Sequence, residues 1–296
     1  MANLHRLRPV AAAILLSLFL SSCAGLWRTP RALFRGHKRV SGPVPALKVA
    51  TREELNAILT RTYNAIQSFQ ATSVELTASE GSVYEGKIND FRAVPGLILF
   101  RKPEDIRIRA NVPVVGTLAF DMVSNGTDFR FQYQRKSLFV QGLNSAPANS
   151  PNKMENLRPE AFLSSMLIRP VDAATEFVFL RDDTDEDGAL YRLEFLSKAP
   201  DGSPRTSGRD VWFDRQDLTI VRQKVYDDNG LTVSDTSYSK WQMYSGVPFP
   251  AHIDINRPKD GYGVAITVLR MEMNKELTDE QFDLPQPDGF TLKVIH

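Results

Sequence analysis

The side chains in this 296-residue sequence that could bind or transform something are few: one cysteine, Cys23, four histidines, and aspartates gathered in short runs. The most specific spacing is Asp183, Asp185, Asp187, Gly188 and Glu194, which matches the D-x-D-x-D-G-x5-E pattern of a calcium loop, with Leu190 at its hydrophobic position. That loop needs a helix on each side. Glu176 to Arg181 and Leu190 to Leu196 instead have the aromatic and branched content of strands, so the expected structure is an acidic hairpin turn in which Gly188 supplies backbone freedom. Weak surface binding of calcium through Asp183, Asp185 and Asp187 is the remaining alternative. Catalytic templates are missing: the sequence has no GxSxG elbow, HExxH pair, P-loop or GxGxxG. His5, His37 and His296 lie outside the expected fold, which leaves His252 alone on a strand, and the paired Asp227 and Asp228 sit in an Asp-Asp-Asn-Gly turn. No enzyme and no cofactor is expected, and no metal site beyond that weak candidate.

Cys23 is different, because the residues before it form an ordered series. Arg6 and Arg8 precede an eleven-residue run from Val10 to Leu20 in which only Ser17 is polar. An eleven-residue helix rises only about 16 Å, whereas crossing the hydrocarbon core takes about 20 residues, so the run is a signal-peptide core and not a permanent span. Leu20, Ser21, Ser22 and Cys23 follow, and this order resembles the lipobox of bacterial lipoproteins. The resemblance implies cleavage before Cys23 and transfer of a diacylglyceryl group to its thiol. By resemblance to proteobacterial sorting, Ala24 in place of aspartate implies the outer membrane, facing the periplasm. The competing reading is an ordinary signal peptide with a chance cysteine.

With Cys23 used as an anchor, no thiol remains for a disulfide or a redox pair. Residues 1–22 hold Arg6 and Arg8 and no acid, so of the 36 basic and 35 acidic residues the mature chain keeps 34 and 35. Such a balance gives no reason to expect nucleic acid as a partner. The expected partners are membrane lipid through Cys23 and an acyl-chain or lipoprotein ligand, with the protein itself a monomer.

The elements that would position any site begin after residue 50. Residues 23–50, with Pro30, Gly42, Pro43, Pro45 and a basic cluster of Arg28, Arg31, Arg35, Lys38 and Arg39, lack a sustained apolar period. They are expected to be a tether, with contact to anionic head groups as a second use. Thr51 and Glu54 form a capping-box pattern, and Leu55, Ile58, Leu59, Ile66 and Phe69 share one helical face, so a helix is expected over 52–69. From Ala71 the period is two. Seven strands are expected between 72 and 141, a short helix from Pro159 to Pro170 carrying Phe162, Leu163, Met166 and Leu167, and seven more strands between 175 and 273. The expected fold class is α+β, mainly antiparallel: a curled, unclosed β-barrel of about 11–14 strands covering amphipathic helices. The expected domains are a signal peptide over 1–22, the lipidated cysteine and tether over 23–50, and one folded domain over 51–296.

Arg101-Lys102-Pro103-Glu104-Asp105-Ile106-Arg107-Ile108, Ser124-Asn125-Gly126-Thr127-Asp128-Phe129, and Asp214 to Gln242 with its Trp241 are three stretches, within residues 51–290, that are similar to the LolA/LolB-like lipoprotein carrier superfamily. The resemblance implies an apolar concave face, lidded by helices, that holds acyl chains, and an outer-membrane placement like that of LolB. Ile106, Ile108, Leu118, Phe120, Met122, Phe129, Phe131 and Tyr133 are expected on one face, as are Phe177, Phe179, Tyr191, Leu193 and Phe195. Among these, Ile106, Ile108, Leu118, Phe120, Met122, Phe131, Phe179, Leu193 and Phe195 are the candidates to line a ligand cavity. Any half-buried sheet needs such alternation, so a filled core is the equal alternative. In that case the protein is a structural or adaptor lipoprotein that binds protein partners.

Overall fold

The computed structural model describes residues 46–82, 87–146, 156–185 and 188–295. The signal segment, Cys23, the tether up to residue 45, and Asp187 lie outside the described residues. Helix α1 (Arg52–Ala65) starts with Thr51 as N-cap, and both halves of its capping box are made: Thr51 Oγ1 accepts from Glu54 N at 3.2 Å and Glu54 accepts from Thr51 N at 2.7 Å. It ends four residues short of the expected 69. Backbone N–H groups of Gln67 and Ser68 donate to Asn274 Oδ1, and the chain is already extended at Ile66, so pairing with distant residues overrides the helical spacing of Ile66 and Phe69.

The strands are β1 (Ser68–Ser82), β2 (Lys87–Asp90), β3 (Val94–Arg101), β4 (Asp105–Asn111), β5 (Leu118–Ser124), β6 (Asp128–Tyr133) and β7 (Leu138–Leu143), then α2 (Pro159–Met166). After it come β8 (Glu176–Asp182), β9 (Leu190–Lys198), β10 (Pro204–Asp214), β11 (Ile220–Tyr226), β12 (Thr232–Tyr244), β13 (Val247–Arg257), β14 (Tyr262–Met273) and β15 (Thr291–Ile295). They form a single 15-stranded sheet in the order β15-β7-β6-β5-β4-β3-β1-β14-β13-β12-β11-β10-β9-β8, with β2 added to β1. β3 to β7 and β8 to β14 each pair with their sequence neighbours antiparallel as a meander, and β1 joins the two runs by pairing β3 on one side and β14 on the other. Register shifts in β1 between Gln70 and Val74, and in β10 between Pro204 and Gly208, mark bulges that bend the sheet. The sheet curls but does not close, because β15 and β8 remain separate edges.

The two helices fill the hollow of the curl. Leu55 and Leu59 of α1 are fully buried, and six of the eight residues of α2 (Pro159, Ala161, Phe162, Leu163, Ser165 and Met166) are buried. They pack against inward side chains of strands all round the sheet, among them Phe69, Phe100, Ile108, Met122, Phe195, Phe213, Phe249 and Ile266. Burying each such side chain contributes about 1.5–3 kcal/mol, so this inner layer is the main source of stability.

The fifteenth strand is one more than the expected upper count. After β14 the chain crosses the outer face, where Leu277 and Phe282 pack on Leu97 and Leu99, and Leu284 and Phe290 on Val123 and Phe139. It then adds β15 parallel to β7. The acidic stretch is a β8–β9 hairpin, as its strand-like flanks implied.

Candidate functional site

The inward positions of β4, β5 and β6 come into register across the sheet: Ile108 opposes Met122, Met122 opposes Phe131, and Ala110, Phe120 and Tyr133 form the adjoining row. Phe131 stands between Phe120 and Tyr133, with ring centroids 5.9 and 6.2 Å away. Ile106, Ile108, Met122, Leu193 and Phe195 are fully buried, Phe131 is 4% exposed, and Leu118 and Phe120 are half-buried. Seven of the nine candidate residues therefore belong to the inner layer, and Leu118 is half-buried outside that cluster. Phe179 departs from it and corrects the expected facing of β8. Val178 opposes Phe195 and Leu180 opposes Leu193, so these two point inward, whereas Phe177, opposite Leu196, and Phe179, opposite Glu194, lie on the outer face, Phe179 at 43% exposure.

None of the nine lines the open space of the hollow. A cavity of about 710 Å³ lies over the β8–β12 half, bounded by Tyr63 of α1, Ser164 of α2, Leu167 and Arg169 to Asp172 after it, and the strand residues Glu176, Ser197, Gly208, Val225 and Ser234. Its walls mix apolar and charged groups. Arg209 holds Glu176 through Nε and Nη2 at 3.1 and 3.0 Å, donates to the carbonyls of Arg169 and Pro170, and lies 3.9 Å from the centre of the Phe195 ring. This fork anchors the α2–β8 connection to the sheet. At the inner end a much smaller slot runs between Ile66, Met166, Trp241 and Phe249.

The roof of the hollow is attached by polar groups that sequence reasoning missed. Tyr238 Oη donates to Ser165 O at 2.7 Å, Thr236 Oγ1 to Ser165 Oγ at 3.1 Å, and Gln223 Nε2 to Ser164 O at 3.2 Å. All four partners from the sheet and helix interior, Gln223, Thr236, Tyr238 and Ser165, are buried. The available signal was β12, whose inward positions read Ser234, Thr236, Tyr238, an unusually polar series for the core side of a strand. Burial holds the Tyr238 hydroxyl far above its ordinary value of 10.0, so it stays a donor. The stability it contributes is present below that value and is lost as pH rises above it.

At the acidic hairpin, Asp183 Oδ2 accepts from Trp212 Nε1 and pairs with Arg192, both at 2.9 Å, while Asp182 pairs with Arg215. Asp185 Oδ1 caps the turn through Gly188 N at 3.0 Å. Among the described residues no three His, Cys, Asp or Glu converge. Asp183→Asn is expected to lower stability by about 1 kcal/mol through loss of the ion pair, with the same melting temperature in calcium and in chelator for parent and variant. A calcium-induced rise confined to the parent would reverse this assignment. His252 Nδ1 lies 3.0 Å from Thr267 Oγ1, a cross-strand contact.

No protein-family model matches the chain, and no curated protein matches it. Solved structures do. A DUF1329 family protein from Desulfovibrio piger aligns over 77% of this chain and 94% of its own, at 17% identity and a TM-score of 0.50. A LolA superfamily protein from Nitrosomonas europaea aligns over 80% and 99%, at 13% identity and a TM-score of 0.50. A domain from Vibrio parahaemolyticus described as outer membrane lipoprotein-sorting aligns over 78% and 95%, at 9% identity and a TM-score of 0.50. The curled sheet over two helices is thus the LolA-like fold.

Proposed function

We propose that the protein is an envelope lipoprotein, anchored through Cys23 to the outer membrane, whose hollow takes up acyl chains of a lipid or lipoprotein when α2 lifts. The observation that carries this reading is the way α2 is attached. Besides the apolar packing of Phe162, Leu163 and Met166, this helix is fastened by hydrogen bonds from Gln223, Thr236 and Tyr238, groups that water can satisfy once the helix moves. Beside it the hollow already has about 710 Å³ of open space, within the usual range for a small-molecule pocket. The β4–β5 turn adds support. Val114 is fully exposed at φ 70°, a strained backbone for a branched residue, and Val115 beside it is also exposed, which suits an apolar tip that meets a lipid surface. The likeness to LolA-like structures supports a binding role over catalysis.

The experiment is the Cys23→Ser chain, expressed for export and compared with the parent. The parent should fractionate with the outer membrane and carry an acyl mass on Cys23. The variant should be recovered without that mass, and organic extraction of the folded variant should release lipid in about equimolar amount. Unchanged acylation overturns the anchor, and a folded, lipid-free variant that takes up no fatty acid overturns the carrier. The second reading, an adaptor without a lipid ligand, is favoured by one observation: the apolar part of the hollow is filled by α1 and α2 in this structure.

A further inference from the structure

The inner face of the sheet changes character at one end. Along β9 the inward positions read Tyr191, Leu193, Phe195 and then Ser197; along β10 they read Phe213, Val211 and then Arg209; along β12, Tyr238, Thr236 and then Ser234. Strand by strand the apolar face turns polar toward the cavity of about 710 Å³, whose wall carries Ser164, Thr175, Ser197, Ser207 and Ser234 beside Gln223. Contact with water alone does not account for this. A solvated rim is polar where it is exposed, whereas Gln223 and Ser234 are each 4% exposed. Gln223 is engaged with Ser164 O, but among the described residues the hydroxyls of Ser197 and Ser207 have no hydrogen bond. Each can both donate and accept.

The charges of the wall are balanced and mostly engaged. Arg209 pairs with Glu176 at 3.0 Å and Arg257 with Asp260 at 2.8 Å. Asp172 closes its own turn, accepting from Ala174 N at 3.0 Å and Thr175 Oγ1 at 2.9 Å. Glu160 and Arg169 remain, of opposite sign. A carboxylate or phosphate entering here would meet Glu160 as well as Arg169, so charge gives it no advantage over a neutral group, whereas hydroxyl groups find partners in Ser197 and Ser207. The polar space also adjoins an apolar one. Tyr63 and Leu167 line both the cavity and the small slot whose other walls include Met166, Trp241 and Phe249.

We propose that the cavity receives the headgroup of the bound lipid, and that this headgroup is an uncharged polyol, glyceryl or glycosyl, whose acyl chain passes Tyr63 and Leu167 into the slot as α2 lifts. Ser197 and Ser207 are the residues that select it. The inference rests on the reading of the hollow as a lipid site and adds to it which class of lipid is taken.

The test is calorimetric titration of the exported Cys23→Ser chain, freed of bound lipid, with four probes that share a dodecyl or dodecanoyl chain. These are dodecyl maltoside, monododecanoylglycerol, dodecylphosphocholine and dodecanoate, each below its micelle concentration. The better of the two polyols should bind at least about tenfold more tightly than dodecanoate and dodecylphosphocholine, and it identifies the glycosyl or glyceryl source. Adding Ser197→Ala and Ser207→Ala together should remove that preference while leaving dodecanoate affinity unchanged, with the melting temperature within about 2 °C of the parent. Dodecanoate or dodecylphosphocholine bound as tightly as the polyols overturns the headgroup and leaves the carrier standing. A preference that survives the double alanine variant overturns the two serines as its cause. Binding of none of the four overturns the lipid site itself, and the headgroup with it.

Discussion

Phe131→Asp is expected to abolish the cooperative melt of the domain. The Phe131 side chain is 4% exposed, stacked between Phe120 and Tyr133 and opposite Met122, on the inner face that α2 roofs. Truncating a buried phenylalanine costs about 3–5 kcal/mol, and an unpaired carboxylate in the same place adds a desolvation penalty of several more. Domains of this kind hold only about 5–15 kcal/mol in total. Phe120→Asp is the informative partner, because Phe120 is half-buried and its carboxylate replacement could reach water. That variant should melt at a lower temperature but still melt. The measurement is thermal unfolding alongside uptake of a fluorescent fatty acid by the same samples. An intact melt in Phe131→Asp, with uptake lost, would mean that the face beneath α2 is open in solution and not packed.

Thr236→Val combined with Tyr238→Phe should free α2. These changes keep the volumes of the side chains nearly constant and remove the two hydroxyls that meet Ser165. Each leaves a buried acceptor with one partner fewer, worth about 1–3 kcal/mol, so the melting temperature should fall by several degrees. If α2 is the lid of the hollow, exchange of its amides should quicken and fatty-acid uptake should accelerate severalfold, despite the lower stability. Gln223 still holds Ser164 O, which keeps the helix near its seat. A drop in melting temperature with unchanged or absent uptake would instead make the hydroxyls ordinary core contacts and favour the adaptor.

The division between what was legible in the sequence and what was not follows from how local each signal is. Period-two alternation at Ile106, Ile108 and Ala110, and at Phe129, Phe131 and Tyr133, is enough to place those strands and their inner face, because neighbouring residues of a strand point to opposite sides. The Thr51–Glu54 cap marks the start of α1 for the same reason: all its atoms lie within four residues. At β8 the reading fails. Phe177, Val178, Phe179 and Leu180 are apolar without interruption, so no alternation distinguishes the faces, and only pairing with Phe195 and Leu193 turns Val178 and Leu180 inward. The end of α1 was set by Asn274, more than 200 residues away, and β15 by a parallel partner reached across the outer face. Whether the apolar inner face is core or cavity was likewise undecidable from alternation, since both need the same residues. The answer depends on where α1 and α2 sit. Packing filled the β4–β6 half, left the open space over β8–β12, and brought Ser165 onto Thr236 and Tyr238, contacts between residues about 70 apart that no local pattern encodes.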